Sequence, residues 1–155
     1  MGEYRFCPSR REEWDPTVRS EVEALARHRL DRAREAFDEG EHLLARKRPA
    51  GAVNRLYYAA FYAAKARLAT RELDSARHSG AIALFHTHFV RSGVVEPDRA
   101  RALSRAFEKR QKGDYGDFAT VTLEEAEELR GEVRSFVEEC QRVLDELTMR
   151  EGDRA

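Results

Sequence analysis

Leu56-Tyr57-Tyr58-Ala59-Ala60-Phe61-Tyr62-Ala63-Ala64 is the longest stretch of this chain without a charge or a histidine. Wound into a helix, these residues are apolar or aromatic on every side, and a helix that is apolar all round belongs in a core. The stretch is less than half a membrane span, so a protein interior and not a bilayer is the surrounding it fits. A helix over about residues 50–70 is therefore expected at the centre of the fold, with other helices packed around it.

The rest of the chain agrees with that reading. At 155 residues and 17.9 kDa it has the size of one domain with a single core. Charged residues make up 37%, against about 25% in an average globular domain, so apolar surface must be gathered in stripes. Nine Gly and four Pro are too few for a sandwich or barrel with a turn every ten residues or so. All-β is excluded, and α/β is not expected. The balance of 28 basic against 29 acidic residues excludes a uniformly basic nucleic-acid binder. Two cysteines, Cys7 and Cys140, make neither a disulfide framework nor a zinc site. The N-terminus is charged from its third residue, and Phe6 stands where a myristoylation signal needs Ser or Thr. A cytoplasmic protein without membrane attachment is the expectation.

Residues 1–14 lack periodicity and are expected to form a flexible arm, and residues 150–155 a C-terminal tail, with the bundle between, over 15–149. Asp15-Pro16 is a helix start, Asp as N-cap and Pro at the first helical position. Val22, Leu25, Leu30, Ala33, Phe37 and Leu44 give an intermittent stripe, and Gly40 leaves open whether this is one helix or two. Arg46-Lys47-Arg48 suits a helix C-terminus, closed by Pro49. A third helix is expected from His78 to Arg91, and a fourth from Glu96-Pro97-Asp98 to a break at Gly113–Gly116. Thr122 and Glu125 spell a capping box. It opens a long last helix with core positions Leu123, Ala126, Leu129, Val133, Phe136, Val137, Cys140, Val143, Leu144 and Leu147. The expected fold class is all-α, an antiparallel bundle of four to five helices.

Charge is uneven along the chain. Residues 91–112 hold seven basic and three acidic groups, and residues 113–147 hold three basic and eleven acidic. Either two solvated faces of opposite sign meet in the bundle, or Arg101, Arg105 and Lys109 form a basic surface for phosphate. His28 and His42 are expected to be solvated. His86 and His88, two apart on a helix, diverge too far to share a metal, and one is expected packed or half-buried and the other exposed. No metal or other cofactor is implied. Arg55 stands out, because an arginine at the head of an apolar helix is costly to desolvate unless it pairs or faces a cleft. At helical spacing Arg55, Tyr58, Ala59 and Tyr62 share a face, since i+7 returns within about 20°. Two readings stay open: a structural arginine bonded to carbonyls or to an acid such as Asp114, or a polar cleft for a phosphate or nucleotide.

Asn54-Arg55-Leu56-Tyr57-Tyr58-Ala59-Ala60-Phe61-Tyr62-Ala63-Ala64 resembles the signature helix of the HEPN-domain family of prokaryotic helical bundles. Arg77-His78-Ser79-Gly80 resembles the Lys-x-His-Ser-Gly start of that family's next helix. Arg110-Gln111-Lys112-Gly113-Asp114-Tyr115 resembles its Arg-x-x-x-Asp-Tyr element before the last helix. The resemblance covers roughly residues 25–147. It implies a homodimer, often encoded beside a minimal nucleotidyltransferase as a toxin–antitoxin pair, and in many members a metal-independent ribonuclease. Those members use an Arg and a His on this helix: the imidazole removes a 2′-hydroxyl proton and the guanidinium stabilises the phosphorane.

This sequence departs from that pattern, because Tyr62 stands where the histidine is expected. A phenol with pKa of about 10 is ionised to about one part in a thousand at pH 7, a poor base. Arg71 and His78 also match the spacing formally, but Arg71 falls in an expected loop. His78 remains able to approach the cleft, or to pack against Tyr58. Arg55, Tyr58, Tyr62, His78, Arg110, Asp114 and Tyr115 are the candidate nucleotide- or RNA-binding residues, and Arg55, Tyr62 and His78 the candidate catalytic ones. Three functions follow: a non-catalytic nucleotide- or RNA-binding module beside a nucleotidyltransferase, a ribonuclease with an atypical base, or a dimeric scaffold.

Overall fold

A computed structural model describes residues 16–115 and 120–152. The expected arm, with Asp15 and Cys7, lies outside the described residues. The described chain is helical, with no strand among the described residues. Its elements are α1 (Pro16–Ala45), α2 (Pro49–Ala69), α3 (His78–Phe85) with a π-helical turn His86–Val90, α4 (Pro97–Tyr115) and α5 (Leu123–Gly152). No helix among the described residues is long and apolar enough to cross a membrane.

The first stripe is one continuous helix. Ala26, Leu30, Ala33, Ala36 and Leu44 are its buried positions, and Gly40 lies among them without breaking it. A Cβ at Gly40 would stand 3.2 Å from the Leu56 side chain, so the glycine is where α1 and α2 close on each other. The chain then reverses through Lys47, whose φ of 57° is left-handed, with the Arg48 N–H donating to the Leu43 carbonyl at 2.9 Å. Pro49, expected to end the preceding helix, also opens α2 at its first turn.

α2 is central, as its all-round apolar character requires. Leu56, Tyr57, Ala59, Ala60 and Ala63 are all fully buried, and α1, α3, α4 and α5 each pack against it. The run of alanines lets these neighbours approach from several directions at once. The expected third helix changes register midway. α3 runs into the π turn, where Phe85 and Phe89 stack at 5.2 Å and Phe85 meets Phe136 of α5 edge-on at 5.4 Å. One extra residue in the hydrogen-bond ladder keeps both rings in the core. His86 and His88 are both half-buried, so one is as expected and the other is less exposed than expected. His86 meets the Ser104 hydroxyl at 3.2 Å.

α4 runs through Gly113 to Tyr115, within the span where the break is expected. The capping box forms as read: the Glu125 N–H donates to Thr122 Oγ1 and the Thr122 N–H to Glu125 Oε2, each at 3.1 Å. α5 extends to Gly152, into the stretch expected as a tail; residues 153–155 and the Leu147 side chain lie outside the described residues. The acidic α5 faces the basic α4. Arg105 pairs with Glu132, Lys109 with Glu125 at 4.0 Å, and Arg99 with the buried Glu139 at 2.6 Å. Arg101 pairs with Asp98 at 3.1 Å. The suggested phosphate surface on α4 is therefore the place where two helices of opposite sign neutralise each other. Cys140 sits in the core, where burial pushes its thiol up to about 12, far from reactive.

Candidate functional site

Arg55 lies in the second turn of α2, about one-third exposed, with its guanidinium 4.9 Å over the Tyr58 ring. Nη1 donates to Glu39 Oε2 at 3.1 Å and Nη2 to Asn54 Oδ1 at 3.2 Å. The acid that meets it is thus Glu39, not the suggested Asp114. The close α1–α2 approach at Gly40 brings the neighbouring Glu39 alongside, while Asp114 is taken by Arg110, one turn away on its own helix, at 3.5 Å.

Arg110 reaches from α4 over the same aromatic cluster, 4.8 Å from the Tyr57 centroid and 5.1 Å from that of Tyr58. Its buried Nε is the atom that meets Asp114, as an ion pair without a hydrogen bond. Tyr58, half-buried, therefore has one guanidinium from its own helix and a second from α4. One turn on, the half-buried Tyr62 lies 6.0 Å from Tyr58, ring to ring. Arg32 of α1 stands 5.0 Å over the Tyr62 ring and its Nη2 donates to the phenol oxygen at 3.2 Å. Such cation–aromatic contacts hold charged groups beside apolar surface. Ala59, expected on this face, is fully buried instead.

His78 is the first residue of α3 and joins the cluster. Its ring stacks on Phe61 at 4.4 Å and meets Tyr58 edge-on at 6.0 Å. Nδ1 is 2.8 Å from the Tyr57 hydroxyl. Burial, then the charges of Arg110 and Lys65, hold the imidazole below its ordinary range, which favours its neutral form. Burial likewise raises the Tyr57 phenol to about 12, which keeps its proton. Ser75 Oγ lies where a Cβ on Gly80 would stand, at 2.2 Å, so the start of α3 is held tightly against the preceding loop.

Arg55, Tyr58, Tyr62, His78 and Arg110 are thus linked through one aromatic cluster at the meeting of α1, α2, α3 and α4. Asp114 touches it only through Arg110. Tyr115 ends α4, and its side chain lies outside the described residues. Four members were not anticipated: Tyr57, Glu39, Arg32 and Lys65, the last 5.7 Å over Phe61 and paired with Asp74 at 3.0 Å. The apolar flanks of Tyr57 gave no hint that its hydroxyl would orient His78. Glu39 and Arg32 come from α1, whose register against α2 no local spacing reveals.

Among the described residues, five helices with an arginine–tyrosine face on the central one, bordered by the His-headed α3, make a small all-α bundle domain. The HEPN domain model matches residues 26–143, and the chain belongs to the HEPN family. It is 33% identical over 128 residues to a UPF0332 protein of Thermotoga maritima, covering 83% of this chain and 97% of that relative. A Methanocaldococcus jannaschii protein named "Putative toxin MJ0605" is 34% identical over 130 residues, 84% of this chain and 93% of the relative. A second protein from that organism, "Putative toxin MJ0142", is 27% identical over 124 residues, 80% of this chain and 84% of the relative.

Proposed function

We propose that this HEPN domain is a nucleotide- or RNA-binding module. It works as a cytoplasmic homodimer in a toxin–antitoxin-type pair with a nucleotidyltransferase, and without the family's usual catalytic histidine. The observation that carries the reading is the pair of guanidiniums, Arg55 and Arg110, brought from two helices to one half-buried tyrosine, Tyr58. A planar guanidinium offers paired donors to phosphate oxygens, and an aromatic face beside it accepts a base by stacking. The toxin names of the Methanocaldococcus relatives support the toxin-like setting. Fluorescence anisotropy with labelled oligoribonucleotides tests the binding. Arg55→Ala and Arg110→Ala should each weaken it while the melting curve stays cooperative; binding unchanged in both variants refutes the reading. Co-purification with the product of a neighbouring nucleotidyltransferase reading frame tests the partner.

A second reading is favoured by one observation, the imidazole of His78 set in the same aromatic cluster as these cations, edge-on to Tyr58 at 6.0 Å. In it, His78 takes the 2′-hydroxyl proton, the 2′-oxygen attacks phosphorus as the P–O5′ bond breaks, and the 5′-oxygen leaves with a proton from water, which regains one from the imidazolium, giving a 2′,3′-cyclic phosphate and a 5′-hydroxyl. Arg55 and Arg110 would stabilise the phosphorane charge. Tyr62, the other candidate base, accepts a hydrogen bond from Arg32 at 3.2 Å. RNA incubated with the protein in EDTA should then yield cyclic-phosphate ends, and no such ends should form with His78→Ala. Cleavage unaltered in that variant excludes His78 as the base.

A further inference from the structure

The arginine–tyrosine arrangement repeats. Along α2 the half-buried rings of Tyr58 and Tyr62 follow one another at 6.0 Å, close to the 5.4 Å rise of one helical turn. Each has a guanidinium over it, Arg55 at 4.9 Å and Arg32 at 5.0 Å.

The two cations differ in how fully they are neutralised. Glu39 lies 3.1 Å from Arg55, whereas the nearest carboxylate to Arg32, Glu35, is 3.9 Å away with both side chains exposed. Lys65 and Arg110 also have closer acids, at 3.0 Å and 3.5 Å. Arg32 is therefore the least compensated of the cations over these rings. An array in which aromatic face and cation recur together suits a strand whose bases are unstacked and whose phosphates follow at each step. A duplex keeps its bases stacked on one another and cannot use the rings. A mononucleotide engages one ring only.

We propose that Arg32 and Tyr62 form a second nucleotide subsite next to the first one at Arg55, Tyr58 and Arg110, so that the ligand is a single-stranded RNA segment of two or more nucleotides. The inference rests on the binding reading above, and a length series separates the two. Isothermal titration with adenosine monophosphate, the 5′-phosphorylated adenosine dinucleotide, a tetra-adenylate and a blunt RNA duplex is the experiment. The dinucleotide should bind at least about fivefold tighter than the mononucleotide, the lower end for one base–aromatic stack. Arg32→Ala and Tyr62→Ala should abolish that gain, while Tyr62→Phe, which keeps the ring, should retain most of it. Arg55→Ala should weaken every single-stranded ligand. A flat length series, a gain that survives Arg32→Ala, or a duplex bound as tightly as the tetra-adenylate overturns the second subsite. In those cases mononucleotide binding that depends on Arg55 still stands. No binding of any ligand overturns both.

Discussion

Tyr57→Phe isolates the contact that ties the core to the candidate site. The Tyr57 ring is fully buried, with Phe61 and Phe107 each at 5.8 Å and the Arg110 guanidinium 4.8 Å above it. Phenylalanine keeps all of those contacts and removes only the hydroxyl that meets His78 Nδ1 at 2.8 Å. A neutral hydrogen bond contributes about 1 kcal/mol net. His78 is only half-buried, so water can reach the vacated nitrogen and the loss should fall at the lower end of that range. For a chain of this length a loss of about 0.5 kcal/mol lowers the melting temperature by about 1–2 °C. Urea unfolding followed by far-UV circular dichroism at pH 7 measures it, with Tyr57→Ala as the reference for losing the whole ring, on the order of 3–5 kcal/mol. A Tyr57→Phe protein of wild-type stability would mean that the hydroxyl contributes nothing to holding His78. One as unstable as Tyr57→Ala would mean that the hydroxyl, and not the ring, holds the region together. Either result refutes the account of Tyr57 as a packed ring whose polar tip positions an imidazole.

Acid should destabilise the protein through His78. Its folded pKa lies below the ordinary 6.5, so as pH falls through about 6.5 the unfolded chain takes the proton first. The stabilisation present above that pH is then lost, with a slope of up to about 1.4 kcal/mol per pH unit. Unfolding curves between pH 8 and pH 5 should show this slope in the wild type and a flatter one in His78→Asn; equal slopes count against it. Glu39→Gln should raise RNA affinity by up to roughly fivefold, the range of an exposed ion pair, because it frees Arg55 from its resident carboxylate. Weaker binding in that variant would instead make Glu39 a support that aims the arginine. Phe136→Ala should cost about 3–5 kcal/mol, because it empties a fully buried position against Phe85; a loss below 1 kcal/mol in urea unfolding would mean that α5 does not close this core.

The helices were legible wherever one local rule decided them. The threes and fours of α5, its Thr122–Glu125 box and the uncharged run of α2 each carry their own signal. What stayed hidden depends on a second element. Gly40 looks like a breaker until Leu56 is packed against it, and the π turn adds a residue without disturbing the fourfold spacing of Phe85 and Phe89. The site divides in the same way. The shared face of Arg55, Tyr58 and Tyr62 follows from 100° per residue, whereas the carboxylate that meets Arg55 follows from the register of α1 on α2. Tyr57 was read as core because periodicity reports the direction of a side chain and not what its far atom touches.

The tyrosine at position 62 gains a physical sense from these contacts. A histidine there could take up a proton; a phenol whose oxygen accepts from Arg32 has its O–H left to give. Such a group is poorly placed to abstract a proton, and it can donate to a phosphate oxygen with a cation alongside. His78, the imidazole of the cluster, is half-buried, stacked on Phe61 with Nδ1 facing Tyr57. Arg55, Arg32 and Tyr62 therefore each bring a donor to the face, whereas one nitrogen of the His78 imidazole is already engaged by Tyr57. That arrangement favours holding a phosphodiester over cleaving it, which is why the binding reading stands ahead of the ribonuclease reading.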